Sequence, residues 1–507
     1  MMKRFRGALG LAGVIALGVV FGGLTGGAVA QDRPVAVEIA PSPSVTRHTV
    51  MIDGKVYAYT ATAGTMKLPG KDGVSRADIF FIAYTLDSAE GDPSRPLTFS
   101  FNGGPGSSSV WLHLGTLGPK RVDMGEEGLA ATVPAALIEN SWSWLDLTDM
   151  VFIDPVSTGY SRAEPGVSPK DFHGLDEDIQ SVGEFIRLYV TREQRWNSPK
   201  FLIGESYGTT RAAGLASHLQ SQYGMELNGI SLVSPVLDFG TIRFDIGNDQ
   251  PFWLYLPTYA ATAFYHGKLD AQLSRDLRAT LDEVEAWAET EYLVALAKGD
   301  RLSAGERARV AKRLASYTGL SERFVLDSDL RIDIMSFTKE LTRDEGRTVG
   351  RLDSRFKGID RLAAGQRFEY DPSYTGIFGP YAQCLNAYVR EDLGYVNDLP
   401  YEILTGDVRP WSYRRNENSY VNVAERLRGA MSRNPALHVW VSCGYYDLAT
   451  PHFAAEYTVS HMQLDPSLRQ NVMVTHYEAG HMMYLKVSEL KALKRDAVVF
   501  YGKALGR

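Results

Sequence analysis

One serine, one aspartate and one histidine stand in this chain in an order that can run nucleophilic acyl transfer. The strongest local signal is apolar Phe201, Leu202 and Ile203 leading into Gly204-Glu205-Ser206-Tyr207-Gly208, with a helix-compatible stretch, 209–218, behind it. A strand, a serine between small residues and a helix together make a nucleophile elbow, in which a strained turn lifts the hydroxyl clear of the backbone. Gly204 and Gly208 provide the room that such a turn needs. Ser206 could instead be an ordinary helix N-cap, but the strand pattern before it favours the elbow.

A serine hydroxyl is a weak nucleophile near neutral pH, so it needs an imidazole base, and the imidazole needs a carboxylate to orient it. In folds with this elbow the chain order is serine, acid, histidine. Asp447 follows a strand-like run at 438–442, and His481 follows a second one at 471–476 through Glu478-Ala479-Gly480. Of the other histidines beyond Asp447, His476 falls inside the strand pattern, and His452 and His461 fall in a helical one. His476 and His481 have no third nearby ligand or helical His-x-x-x-His spacing, so no metal is expected, and no cofactor either. The remaining need is a pair of backbone donors for the oxyanion. Residues 102–109, Asn102-Gly103-Gly104-Pro105-Gly106 and three serines, follow a strand-like run and lie upstream of the elbow. The N–H groups of Gly104 and Tyr207 are the candidate donors. A phosphate-binding loop is the rival reading, but the Gly-Lys-Ser/Thr ending is missing.

These residues need a scaffold that ends several strands side by side. Apolar, β-rich runs at 79–84, 97–101, 150–153, 201–203 and 230–233 alternate with loops and helices. The segment 241–405 is charged and rich in Ala and Leu, with helical spacing at 271–297 and 304–317. Sheet pattern returns at 438–442 and 471–476, and an amphipathic helix spans 487–501. The expectation is an α/β-hydrolase fold: a mainly parallel central sheet flanked by helices, with a helical cap insertion. The divisions are a first core half at 31–240, the cap at 241–405 and a second core half at 406–507. Phe252, Trp253, Tyr255 and Tyr259 at the start of the cap could line an apolar subsite, although aromatic clusters are more often core.

Composition excludes other classes. With 44% hydrophobic residues in 507, the chain can bury a large core. Its formal charge of -7 is spread without long runs, so nucleic acid is not an expected partner. Cys384 and Cys443 are the two cysteines, enough for one bridge and not for a disulfide scaffold. No repeat is visible. At the start, Lys3, Arg4 and Arg6 precede an uncharged run, 8–27, and Ala28-Val29-Ala30. This predicts a signal peptide at 1–30 cleaved before Gln31, export to the periplasm or beyond, and no stable membrane association after cleavage.

Taken together, three ordered motifs resemble those of the serine carboxypeptidases: 102–106, 204–208 and Ala479-Gly480-His481-Met482. Weaker echoes are Gly118-Pro119, Ser141-Trp142, Phe152-Ile153-Asp154-Pro155 and the 444–447 turn, so the likeness spans both core halves and not the insertion. The resemblance implies hydrolysis of the C-terminal peptide bond of peptides with a free C-terminus, through an acyl-enzyme on Ser206. It implies Gly104 and Tyr207 as oxyanion donors, and Asn102, Gly103, Glu205 and Met482 as substrate-binding residues. Glu205 facing a carboxylate implies that one of the two carries a proton, in keeping with an acidic optimum. Other activities on the same triad are an esterase or an acyltransferase. The chain departs from the family at Thr116, where a second glutamate is usual, and at Ser100, where a tryptophan is usual. It also departs at Ser107, Tyr445 and Pro451.

Overall fold

The computed structural model describes residues 43–87, 92, 94–130 and 132–507. The predicted signal peptide lies outside the described residues. Ten strands form one sheet: β1 (Ser44–Ile52), β2 (Lys55–Pro69), β3 (Ser75–Leu86), β4 (Leu97–Phe101), β5 (Asp149–Ile153), β6 (Arg162–Ala163), β7 (Lys200–Glu205), β8 (Gly229–Val233), β9 (His438–Gly444) and β10 (Val472–Tyr477). Their order is β1-β2-β3-β5-β4-β7-β8-β9-β10, with β6 paired to β3. The pairs from β5 to β10 are parallel, and the β1–β3 end is antiparallel. Strands β4, β5, β7 and β8 are buried along their whole length, as interior parallel strands covered on both faces must be. This is the α/β-hydrolase architecture expected from the sequence.

Helices cover both faces because each carries an apolar stripe. On one face, α1 (Leu175–Arg192), α2 (Tyr207–Tyr223) and α7 (Ala424–Arg433) bury Phe185, Leu215 and Leu427 against the sheet. On the other, α6 (Pro372–Glu391) and α8 (Val487–Ala504) bury Tyr381, Leu385, Leu493 and Phe500. A third cluster joins α3 (Leu256–Tyr265), α4 (Leu277–Trp287) and α5 (Ala304–Thr318) to Tyr446, Leu448 and Phe453 of the second core half. Phe252, Trp253, Tyr255 and Tyr259 belong to that cluster, so the plain packing reading holds for them. Cys384 and Cys443 are free and buried.

Candidate active site

Strands β7, β8, β9 and β10 run parallel and in register, so the residues after them emerge at one edge of the sheet. Ser206 follows β7, Asp447 lies in the turn after β9, and His481 lies in the loop after β10. The topology therefore collects all three predicted residues at the carboxyl edge, where open α/β sheets bind ligands.

Ser206 has φ 59° and ψ -128°, a left-handed conformation that costs a non-glycine residue about 1–3 kcal/mol. The turn is possible because a Cβ on Gly204 would lie 2.2 Å from the carbonyl oxygen of Gly208, so only glycine fits. Ser206 is half-buried, and among the described residues its hydroxyl makes no hydrogen bond. Asp447 is fully buried and His481 is 4% exposed. His481 Nδ1 lies 2.7 Å from Asp447 Oδ2, which leaves Nε2 for a proton from elsewhere. The N–H groups of Ala449 and Thr450 donate to Asp447 Oδ1 at 2.8 and 3.0 Å. The Thr450 hydroxyl sits 2.8 Å from Asp447 Oδ2, 2.9 Å from the Ser234 carbonyl and 3.3 Å from His481 Nδ1. The histidine backbone is fixed at both ends: its N–H donates to the Leu352 carbonyl and its carbonyl accepts from the Ser234 hydroxyl, both at 2.7 Å. Burial opposes protonation of His481, but the charge of Asp447, its hydrogen bond and the charge of Glu205 together raise the imidazole above its ordinary pKa. Asp238, in the loop after β8, accepts instead from Gly240 N–H and Asn422 Nδ2.

The glycine loop presses on the elbow. A Cβ on Gly103 would lie 2.4 Å from the Tyr207 nitrogen, so the two backbones touch. Gly103 C=O accepts from Ser107 N–H at 3.1 Å. In a trans peptide the following N–H points the opposite way, so the Gly104 N–H is turned away from Ser107. Among the described residues, the N–H groups of Gly104 and Tyr207 have no acceptor. Residues 403–405 hold the loop from outside, with Ser108 N–H donating to Ile403 C=O at 2.9 Å and Thr405 N–H to Gly106 C=O at 3.0 Å.

Glu205 is 3% exposed and both of its oxygens are engaged: Asn102 Nδ2 donates to Oε1 at 2.9 Å and the Tyr484 hydroxyl to Oε2 at 2.6 Å. Burial pushes its pKa up to about 7, against the opposing pull of His481 and of the two donors. Asn102 also accepts from Leu112 N–H through Oδ1. Thr116 is buried with its hydroxyl unpaired, and Met482 packs in the core.

Sequence reasoning missed Tyr484, Thr450 and the pair Arg211–Asp178. Arg211 Nε donates to Asp178 at 2.8 Å and Nη1 to the Asn102 carbonyl at 2.7 Å, with the guanidinium beside the rings of Phe101 and Tyr207. An arginine one turn beyond Tyr207, amid the small residues of 208–214, was the available signal. Tyr484 and Thr450 gave none, because loop spacing does not fix where a hydroxyl points.

A family model described as serine carboxypeptidase matches residues 72–494. Serine carboxypeptidase-like 46 of Arabidopsis thaliana is 31% identical over 168 residues, 31% of this chain and 33% of that protein. A pheromone-processing carboxypeptidase of Saccharomyces cerevisiae is 34% identical over 140 residues, 26% of this chain and 18% of that protein. The chain thus spans a third or less of the length of these curated relatives. The crystal structure of a prohormone-processing carboxypeptidase from Saccharomyces cerevisiae superposes with a TM-score of 0.55 at 17% identity, covering 86% of this chain and 91% of that one. That likeness concerns the fold. The family match takes in both halves of the sheet, the glycine loop, the elbow and the loops that carry Asp447 and His481, and by it this chain belongs to the serine carboxypeptidase family.

Proposed function

We propose that this protein is a serine-type carboxypeptidase that releases the C-terminal residue of peptides through an acyl-enzyme on Ser206. The carrying observation is the buried His481–Asp447 pair at the sheet edge that also bears the strained Ser206. Ser206 Oγ attacks the carbonyl carbon of the last peptide bond while His481 Nε2 takes its proton. The oxyanion accepts hydrogen bonds from the N–H groups of Gly104 and Tyr207. Collapse breaks the C–N bond as His481 returns the proton to the leaving amine. A water molecule then attacks the ester, again giving its proton to His481, and the acid is released with Ser206 restored. Asp447 keeps Nδ1 protonated and stabilises the imidazolium. Asn102, Gly103, Glu205 and Met482 form the subsite for the departing residue.

Glu205 supports the acidic optimum implied by the family. Below about pH 7 its carboxyl is protonated and does not repel the carboxylate of a substrate. The charged start and apolar run at 1–30 support a further reading, export of the mature enzyme. Product analysis on a blocked dipeptide tests the activity. The free acid should be cleaved at least tenfold faster than its C-terminal amide, and Ser206→Ala should abolish both reactions. Equal rates on acid and amide, with faster turnover of simple esters, would move the assignment to an esterase.

A further inference from the structure

Among the described residues, the arginines whose guanidinium has neither a hydrogen bond nor a carboxylate partner are solvent-exposed, except for Arg121 and Arg351. Arg121 lies over the ring of Trp142, 5.4 Å from its centroid. Arg351 is half-buried and has no such ring. Two acids of the same connection are engaged by other groups: Asp353 pairs with Arg355, and Asp371 Oδ1 accepts the backbone N–H groups of Arg351 and Ser373 at 3.1 and 3.0 Å, and also the Ser373 hydroxyl.

The place of Arg351 gives this free cation a meaning. Its carbonyl accepts from Leu448 N–H at 3.1 Å, next to Asp447, and the following carbonyl, that of Leu352, accepts from His481 N–H at 2.7 Å. Residues 351–352 are thus tied by backbone bonds to the residue after the acid and to the base. Its charge reaches the His481 imidazole, whose protonation it opposes, and the Tyr255 phenol. A partly desolvated guanidinium without a counter-ion is costly, and its planar fork of donors matches a carboxylate. Glu205, the other group expected to face a substrate acid, has both oxygens engaged by Asn102 and Tyr484. A carboxylate entering beside the base therefore finds its attraction at Arg351.

We propose that Arg351 binds a carboxylate of the substrate, either the terminal one or an acidic side chain of the departing residue. This deepens the peptidase reading and rests on it for the identity of the substrate. Three blocked dipeptides with the same acyl half test it: one ending in glutamate, one in glutamine and one in glutamine amide. The ratio of kcat/KM between the first two reports the side chain, and that between the last two reports the terminal group. In the wild type at least one ratio should exceed about tenfold, the scale of a charged hydrogen bond. Arg351→Gln should collapse that ratio through KM, and Arg351→Lys should restore part of it, since charge survives without the fork. Ratios unchanged in Arg351→Gln, whether or not the absolute rates fall, would overturn the proposal. Calorimetric titration of the same acids into Ser206→Ala and Ser206→Ala/Arg351→Gln gives the comparison without turnover. Binding that weakens about tenfold with Arg351 removed supports the site even if the wild type cleaves none of the peptides, in which case only the peptidase reading fails. Equal binding to both proteins sinks the carboxylate site.

Discussion

Glu205 and His481 form a coupled pair whose protons set the pH behaviour of the site. Burial is the first cause of the raised pKa of Glu205, and it outweighs two donors that favour the anion. Between its ordinary value of 4.5 and about 7, the folded protein therefore holds a proton that the unfolded chain has lost. Stability must fall as pH rises through that window, by about 3 kcal/mol from this group. Glu205→Gln removes the dependence, so urea unfolding at pH 5 and pH 8 should show a smaller loss than in the wild type. Where Glu205 is ionised, near and above pH 7, the same substitution removes a negative charge that helps to raise the His481 pKa, so the upper part of the acidic limb of ester hydrolysis should move to lower pH. On peptides with a free carboxylate, the alkaline decline should soften, mainly in KM. Identical unfolding slopes for both proteins would mean that Glu205 is ionised throughout, and an unmoved profile of ester hydrolysis would mean that its charge does not bear on His481. Ser206, Asp447 and His481 could be proposed as a triad from sequence because each follows a strand pattern in a fixed chain order, and the structure brings them to one sheet edge. Of the partners of Glu205, Tyr484 could not be proposed, since it reaches the carboxyl from a three-residue 3-10 turn, Met483–Leu485, too short to show periodicity.

The glycine loop that follows β4 is held by an ion pair between α1 and α2. Arg211 of α2 joins Asp178 of α1 to the Asn102 carbonyl, with both charged side chains at most 2% exposed. Desolvation raises the pKa of Asp178 in spite of the arginine, and this is the usual situation of a buried ion pair: weak as a net stabiliser, expensive to break on one side. Arg211→Met should destabilise the fold by about 3–5 kcal/mol, and adding Asp178→Asn should recover much of that loss in chemical denaturation. In the refolded double mutant kcat should remain about tenfold or more below wild type at similar KM, because an oxyanion donor is no longer held in place. Full recovery of kcat along with stability would reduce the pair to scaffolding. Strand positions were readable where burial on both faces leaves unbroken apolar runs, as in 201–203 and 230–233. The β1–β2 hairpin was less so: Val45, Met51 and Val56 point to solvent there, and the apolar alternation loses its contrast.

The molecule divides its apolar residues among three clusters, two sandwiching the sheet and one uniting the helices of 250–341 with the turn that carries Asp447. This last arrangement explains why the aromatic residues at 252–259 could not be assigned from composition. Those four rings pack in the cluster that fixes the insertion to the turn after β9, with Tyr259 stacked on Phe337 at 4.0 Å. What the sequence could not convey is which charges are unpaired, since pairing depends on loops remote in sequence, and that Arg351 has no carboxylate partner among the described residues emerges only once their acids are placed. The whole arrangement stands on Ser206 being activated by His481. Peptide mapping after treatment with an uncharged phosphonate ester tests this most directly. One adduct, on Ser206, should form in the wild type, be absent from Ser206→Ala and form about a thousandfold more slowly in His481→Ala. An adduct on another residue, or an equal rate of labelling without His481, would contradict it.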